Sequence, residues 1–244
     1  MSSWDASVTS PSSSSLAGRA TAARIPLILR RLDRVTQRPA HARALPPLDS
    51  LVMTVLSQNT TDANSGRAFA QLREQFPTWE EVLQARPRRI AAAIRSGGLA
   101  ETKSRRIKQI LSHIEHDRGR LELGFLRRLP ADRASQYLLS LPGVGRKTAA
   151  VVLLFSLGKA AFPVDTHVLR VSKRLGLIPP KTTMDRAHDL FAGFLKPEQM
   201  LDLHLGLIRH GRQVCTARRP RCAGCRLLDL CPRVGVAMPA GGER

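Results

Sequence analysis

The four cysteines constrain the folding of this chain most, because all of them lie in one short C-terminal segment. Cys215, Cys222, Cys225 and Cys231 follow the spacing C-x6-C-x2-C-x5-C. Thiolates this close in sequence can converge on one soft metal centre, either a [4Fe-4S] cluster or a structural zinc ion. Zinc sites of four cysteines usually show two C-x2-C pairs, and this segment contains only one, so the spacing favours an iron-sulfur cluster.

Two disulfides in a secreted domain are the alternative use of these cysteines. The N-terminus is rich in serine and lacks the apolar core of a signal peptide, which disfavours secretion and therefore disulfides.

The charge of the chain indicates a polyanionic partner. Thirty-nine Lys and Arg against nineteen Asp and Glu give a net charge of +20 and a pI near 11.5. An arginine-rich proteome could account for part of this excess, but nucleic acid fits it best. The longest uninterrupted apolar run, Ala149 to Phe155, is too short to cross a bilayer, so we expect no membrane association.

The hydrophobic pattern predicts an all-α protein. Residues 1–20 are rich in Ser, Ala and Thr and are predicted to be a disordered tail, and residues 237–244 a flexible C-terminus. Apolar residues then recur at helical spacing, first between Leu48 and Leu56 and again between Ile107 and Ile114. Thr78 and Glu81 form a capping box, and no segment shows sustained apolar and polar alternation.

A Pro-Gly-Val-Gly turn separates two helical segments in the middle of the chain. Ala131 to Leu139 precede the turn, and a second helix begins at Arg146. Gly143, Val144 and Gly145 allow close backbone approach, and amides at a helix start can bind a phosphate. Because such turns also occur as plain connectors, the motif alone is only suggestive of DNA binding.

Two residues near this turn are candidates for catalysis. Lys147 lies in the first turn of the second helix, where the helix dipole and Arg146 disfavour an ammonium ion and so favour a nucleophilic amine. Asp165 follows an apolar stretch and is predicted to be the N-cap of the next helix. Capping alone is the commonest role of such an aspartate, and it is compatible with catalysis.

Three motifs together resemble endonuclease III of the helix-hairpin-helix DNA glycosylase superfamily. They are Leu141 to Ala149, Val164 to Val168, and the His210-Gly211-Arg212 approach to the cysteine segment. The resemblance implies a two-lobed fold with DNA in the cleft between the lobes. A six-helix barrel would comprise residues 40–159, and a [4Fe-4S] lobe would combine residues 21–39 and 160–236. It also implies a monomer that acts on damaged double-stranded DNA in the bacterial cytoplasm, associated with the nucleoid.

By this resemblance Lys147 attacks C1′ of a flipped nucleotide and forms a Schiff base, and β-elimination then cuts the strand. Asp165 would stabilise the developing positive charge. The implied activity is that of a bifunctional glycosylase and AP lyase for oxidised pyrimidines. The alternatives are a monofunctional mismatch or uracil glycosylase, disfavoured by the presence of Lys147, and a DNA-binding relative without catalysis.

The resemblance also carries over residues that contact DNA. Leu99 matches a residue that enters the base stack. In the segment from Ser57 to Asp62 the position that fills the hole of the flipped base falls on Asn59, one residue after Gln58, although either amide could simply cap a helix. The remaining predicted contacts come from polar or basic side chains, namely Arg146, His167, Arg212, Arg218, Arg219 and Arg221.

Overall fold

The computed structural model describes residues 13–32 and 44–236, and every regular element within these ranges is helical. The α-helices are α1 (Ser13–Leu32), α2 (Pro47–Leu56), α3 (Asp62–Gln75), α4 (Trp79–Gln84), α5 (Pro87–Ala93), α6 (Ala100–Arg118), α7 (Ala131–Ser140), α8 (Arg146–Val151), α9 (Thr166–Arg174), α10 (Met184–Phe194) and α11 (Pro197–Gln213). The prediction of an all-α fold is confirmed.

Local sequence signals explain several helix boundaries. Helix α4 begins after Thr78, whose side chain accepts a hydrogen bond from the Glu81 amide at 3.2 Å, as the capping pattern predicts. Helix α3 begins after Thr61, whose side chain accepts from the Asn64 amide at 3.3 Å. The threonines satisfy amides that a helix start leaves without an intrahelical partner.

The chain divides into two compact units. The hairpin unit is Arg38–Asp165, and the cysteine unit combines Met1–Gln37 with Thr166–Arg244. The sequence placed the second boundary after residue 159, whereas the units of the structure meet six residues later, between Asp165 and Thr166. Asp165 therefore belongs to the same unit as Lys147.

Helix α6 lies at the centre of the core of the hairpin unit. The side chains of Ile107, Ile110, Leu111 and Ile114 are fully buried, and they lie at the i, i+3, i+4 and i+7 spacing of one helix face. Helices α2, α4 and α5 pack against α6, and α3, which packs on α2 and α5, contributes apolar residues to the same core. The apolar pattern of the sequence therefore identifies the buried face of α6 correctly.

Helix α1 packs within the cysteine unit. Ile25, Ile28 and Leu32 form its buried face, and the Arg24 guanidinium donates hydrogen bonds to the carbonyl oxygens of Leu175 at 2.9 Å and Leu230 at 2.7 Å. Both ends of the chain thus contribute to one unit.

The predicted disordered tail is wrong for residues 13–20, which form the first turns of α1. Leu and Ala favour helix in this segment, and the segment leads directly into the buried face of α1. Residues 1–12 and the predicted C-terminal tail, 237–244, lie outside the described residues.

Within the described ranges, no helix combines the length and the apolar character needed to cross a membrane. The predicted cytoplasmic localisation and monomeric state stay predictions.

Candidate active site and cysteine loop

The turn between α7 and α8 depends on a glycine with a positive φ. Gly143 has φ +70°, and the Val144 amide donates a hydrogen bond to the Leu141 carbonyl at 3.1 Å, which closes the turn. A Cβ atom at position 143 would lie 2.7 Å from Cζ of Arg106. The Arg106 side chain from α6 therefore occupies the space that only glycine leaves free.

The free donors of this turn are the amides of its two glycines. Val144 is 6% exposed and uses its own amide within the turn. Gly143 and Gly145 are exposed, and in the described part of the chain their amides donate to no backbone acceptor. Val144, which the sequence predicts to contact DNA, therefore uses its amide to close the turn. A phosphate can be bound by the amides of the neighbouring glycines.

Lys147 and Asp165 both belong to the hairpin unit, and each lies at the start of a helix. Lys147 is the second residue of α8 and is half-buried. Asp165 immediately precedes α9, the position of an N-cap, and is also half-buried. The approach to Asp165 is anchored by Phe162 and Val164, which are 3% and 0% exposed. Buried neighbours on one side and a helix on the other constrain the backbone of Asp165.

A π-helical turn follows α8. It spans Val152–Ser156, and the Leu157 amide donates to the Val152 carbonyl five residues earlier at 3.2 Å. The apolar run from Ala149 to Phe155 predicts a continuous α-helix and does not reveal the π-helical turn. π-helical turns are often found at functional sites, and this one ends the helix that carries Lys147.

Two residues predicted to enter DNA have strained backbones. The described part of the chain contains three non-glycine residues with positive φ, and Asn59 at +54° and Leu99 at +50° are two of them. Leu99 is 59% exposed although it is apolar, and Asn59 is also exposed. A positive φ is uncommon for a non-glycine residue and least expected for a bulky one such as leucine, so an exposed apolar side chain held in this way is a candidate for insertion.

Gln58 differs from Asn59 in having a protein partner. Its Oε1 accepts a hydrogen bond from the Arg106 guanidinium at 3.4 Å, and the residue is half-buried. Arg106 thus touches both Gln58 and the turn at Gly143. The structure therefore leaves Asn59, rather than Gln58, as the exposed amide of this segment.

Sequence reasoning missed Lys103 on α6. Its side chain is 3% exposed, and its Nζ donates hydrogen bonds to the carbonyl oxygens of Leu56 at 2.7 Å and Gly97 at 2.8 Å. Burial lowers the pKa of Lys103. A signal was present in the sequence, because Lys103 lies four residues before Ile107 and so occupies a position of the apolar stripe.

The four cysteine sulfurs share one environment in the cysteine unit. All four cysteines are free thiols and line the same cavity, together with His210 and Arg174. The Leu227 amide donates to Cys225 Sγ and the Arg233 amide to Cys231 Sγ, each at 3.4 Å. Such N–H donors stabilise cysteine sulfur as a metal ligand. Burial raises the pKa of Cys225 and Cys231.

The donor set of the cavity suits a metal group, since four cysteines line it and two of their sulfurs receive amide hydrogen bonds. In the described ranges, no three His, Cys, Asp or Glu side chains lie close enough together to hold a single metal ion.

Arginines of α9 hold the backbone of the cysteine loop, residues 215–231. Arg174 donates to the carbonyl oxygens of Thr216 at 2.7 Å and Ala217 at 2.9 Å, and Arg170 donates to that of Cys215 at 3.2 Å. The loop positions its own basic side chains outward, since Arg218, Arg219 and Arg221 are all exposed. These three predicted DNA contacts are therefore presented on a hydrogen-bonded loop.

His167 and Gly211 pack together in the cysteine unit. A Cβ atom at Gly211 would lie 3.0 Å from His167 Cβ, which explains the glycine of the His-Gly-Arg motif. The Arg170 guanidinium lies 3.1 Å from His167 Nδ1. Because a guanidinium can only donate, Nδ1 is the acceptor and the ring proton lies on Nε2, where it is available to a partner. Arg212 is exposed on the last turn of α11.

Comparison with known proteins identifies the family. Residues 52–204 match the model of the HhH-GPD superfamily base excision DNA repair proteins. Endonuclease III of Bacillus subtilis is 36% identical over 204 residues, which cover 82% of this chain and 89% of that protein. The chain belongs to the endonuclease III family of the HhH-GPD superfamily. The resemblance of the three sequence motifs to this family is confirmed.

Other relatives extend the comparison. A candidate DNA glycosylase of Arabidopsis thaliana is 40% identical over 192 residues, and the match spans 79% of this chain but only 63% of the plant protein. The structure of a trapped covalent intermediate of endonuclease III and DNA, an estranged-adenine complex, aligns with a TM-score of 0.73 and 32% identity. That alignment covers 87% of this chain and 96% of the other.

Gly143→Ala tests the turn of the superfamily hairpin. We expect the free energy of unfolding to fall by about 1–3 kcal/mol, because alanine is strained at this φ and its Cβ would collide with Arg106. Gly66→Ala is the matched control in α3 of the same unit, where no atom lies within 4 Å of the added Cβ. It should raise stability by about 0.5–1 kcal/mol through helix propensity. Urea denaturation measures both, and equal effects would contradict this account of the turn.

Proposed function

We propose that this chain is a bifunctional DNA glycosylase and AP lyase that removes oxidised pyrimidines from duplex DNA. The observation that carries the proposal is the half-buried Lys147 in the first turn of α8, directly after the hairpin turn. The covalently trapped endonuclease III relative supports it, because a covalent intermediate requires a nucleophile in the protein.

DNA would dock first through contacts that ignore base identity. The Gly143 and Gly145 amides and the N-terminus of α8 present donors to one phosphate, and exposed Arg146 adds a positive charge. A net charge of +20 attracts the duplex over a longer range. These contacts position the protein on DNA, and selectivity comes from later steps.

The damaged nucleotide would then leave the base stack. Extrusion costs a few kcal/mol and is cheapest at damaged or mispaired bases, which supplies part of the selectivity. Leu99 would enter the stack as an apolar wedge, and the Asn59 amide would occupy the hole and contact the orphaned base. Their exposure and left-handed backbones support these roles.

The proposed chemistry joins the Lys147 amine to C1′ of the extruded nucleotide. The nitrogen lone pair forms the new bond to C1′, and the electrons of the glycosidic bond leave with the damaged base, which takes up a proton. Ring opening gives a Schiff base between Lys147 and the sugar. Loss of a proton from C2′ then expels the 3′ phosphate by β-elimination and cuts the strand.

Asp165 would act on the charge that this reaction creates. An ionised carboxylate stabilises the positive charge that develops on the sugar as the base departs, and it can assist the proton transfers. Its position before α9 also allows it to cap that helix, which would orient the carboxylate.

The cysteine loop would hold a [4Fe-4S] cluster ligated by Cys215, Cys222, Cys225 and Cys231. When bound, the cluster would cross-link the loop through four thiolate bonds. The exposed Arg218, Arg219 and Arg221 of the same loop would then contact DNA phosphates from a fixed backbone. His167 and Arg212 are proposed to donate further hydrogen bonds to the DNA phosphates.

Lys147→Gln tests the nucleophile. Borohydride reduction of the enzyme on a duplex with an abasic site should give a covalent product with the wild-type protein and none with the variant, because glutamine cannot form a Schiff base. Affinity for DNA should stay within about twofold, since the phosphate contacts are unchanged. Lys181→Gln, at an exposed lysine outside the hairpin unit, should trap like the wild type.

Covalent trapping of the Lys147→Gln variant would contradict the assignment of Lys147 as the nucleophile. A wild-type protein that releases bases without trapping would be a monofunctional glycosylase.

The substrate class is tested by measuring base release from duplexes that contain thymine glycol, dihydrouracil, uracil or 8-oxoguanine. The proposal requires the first two to be processed fastest.

Asn59→Gly tests insertion of the amide. Glycine keeps the left-handed backbone, so only the amide is lost. The preference for an abasic duplex over an undamaged duplex should fall on the order of tenfold, because the amide contacts the orphaned base only after flipping. Gln58→Ala is the matched control, and fluorescence anisotropy measures both affinities. A larger loss of preference in Gln58→Ala would assign the insertion to Gln58 instead.

The metal prediction is tested on the purified protein. We expect a yellow-brown protein with broad visible absorbance and about four irons and four sulfides per chain. Cys222→Ser should lower the iron content and bleach the absorbance. A colourless wild-type protein that contains one zinc ion per chain would overturn the cluster assignment.

A further inference from the structure

Lys103 is a buried cation that the proposed chemistry does not use. Its side chain is 3% exposed, and among the described residues no ion pair involves it. Its Nζ instead donates to two backbone carbonyl oxygens, of Leu56 at 2.7 Å and of Gly97 at 2.8 Å. A buried ammonium is costly, so these two bonds must offset a substantial desolvation penalty.

The two carbonyls belong to the segments that carry the proposed wedge residues. Leu56 is the last residue of α2 and lies three positions before Asn59. Gly97 ends a 3-10 turn and lies two positions before Leu99. The Lys103 backbone amide also donates to the Leu99 carbonyl at 2.9 Å, so Lys103 contacts the second segment twice.

The two segments approach each other closely at this point. A Cβ atom at Gly97 would lie 3.9 Å from the Leu56 carbonyl oxygen and 3.1 Å from Ala68 Cβ. Carbonyls at helix ends lack intrahelical partners and carry partial negative charge, which a cation neutralises. An apolar residue at position 103 would leave both carbonyls buried without a donor.

We propose that Lys103 is a positioning residue that fixes the separation of the Asn59 and Leu99 segments, so that both side chains enter the duplex in one step. The inference rests on the proposed function. Three residues span at most about 10 Å, so anchoring Leu56 confines Asn59 to that distance from the Leu56 carbonyl. A rigid pair of wedges avoids the entropic cost of ordering two loops on DNA.

Lys103→Met tests the inference, because methionine fills similar volume without a donor. We expect the preference for a duplex with a stable abasic analogue over an undamaged duplex to fall at least about tenfold. Affinity for the undamaged duplex should stay unchanged. The fluorescence of 2-aminopurine placed opposite the analogue should lose the change that the wild-type protein induces, because the orphaned base is no longer contacted.

Lys108→Met is the matched control on the same helix. The Nζ of Lys108 donates to the Ala85 carbonyl at 2.7 Å, so this variant also removes a bond from α6 to a backbone carbonyl, but away from both wedge segments. It should keep the wild-type preference and the 2-aminopurine signal. Equal losses in the two variants would reduce Lys103 to a general structural role and overturn the inference.

Lys103→Gln tests the positioning role of Lys103 if Lys103→Met does not fold. Glutamine retains one donor group, and we expect an intermediate loss of preference for the abasic duplex. A wild-type preference in either folded variant, or an equal loss of affinity for both duplexes, would overturn the positioning role. A wild-type protein without preference for the abasic duplex would instead contradict the proposed function itself.

Discussion

Helix α6 is the element on which the DNA-facing parts of the hairpin unit depend. One face of the helix is buried in the core through Ile107, Ile110, Leu111 and Ile114. Two cations near its start, buried Lys103 and half-buried Arg106, connect this helix to neighbouring segments. Lys103 binds the carbonyls that precede Asn59 and Leu99, and Arg106 contacts Gln58 and fills the space at Gly143. The core of the unit therefore also determines where the segments that carry Asn59, Leu99 and Gly143 lie.

In the cysteine unit, too, cationic side chains of one helix bind backbone carbonyls of another segment. Arg170 and Arg174 bind carbonyl oxygens of the loop that carries the cysteines, and the Cys231 thiol donates to the Arg174 carbonyl at 3.2 Å. Charge-assisted hydrogen bonds to backbone order the loop in addition to any metal–thiolate bonds. Helix α9, which supplies both arginines, follows Asp165 directly in the chain. The helix that begins after the candidate catalytic carboxylate is thus also the helix whose arginines hold the cysteine loop.

The features that sequence reasoning predicted are those that depend on neighbours in the chain. The buried stripe of α6, the cap at Thr78 and the hairpin turn with its glycines each involve residues a few positions apart. The apolar stripe of α6 indicates only that Lys103 is buried; its role depends on the Leu56 carbonyl, 47 positions away, which no local pattern reveals.

The left-handed conformations of Asn59 and Leu99 were equally hidden, because neither residue type requires a positive φ. The sequence match alone assigns the gap-filling position to Asn59, and the contact of Gln58 with Arg106 adds a structural reason that the sequence does not contain. The helical state of residues 13–20 was missed because their composition resembles that of disordered segments, whereas the helix is stabilised by the packing of α1 further along.

The contact between Arg106 and Gly143 has a consequence for the evolution of the hairpin. A helix-hairpin-helix is easily regarded as a portable module, since its two helices and turn are contiguous in sequence. In this chain the turn leaves a space that a side chain from a third helix fills, so the motif is complete only together with α6. Transfer of residues 131–151 to another scaffold would carry the glycines but not their partner. Helices α6, α7 and α8 therefore form one structural unit in evolution. Substitutions at positions 106 and 143 are expected to be coupled.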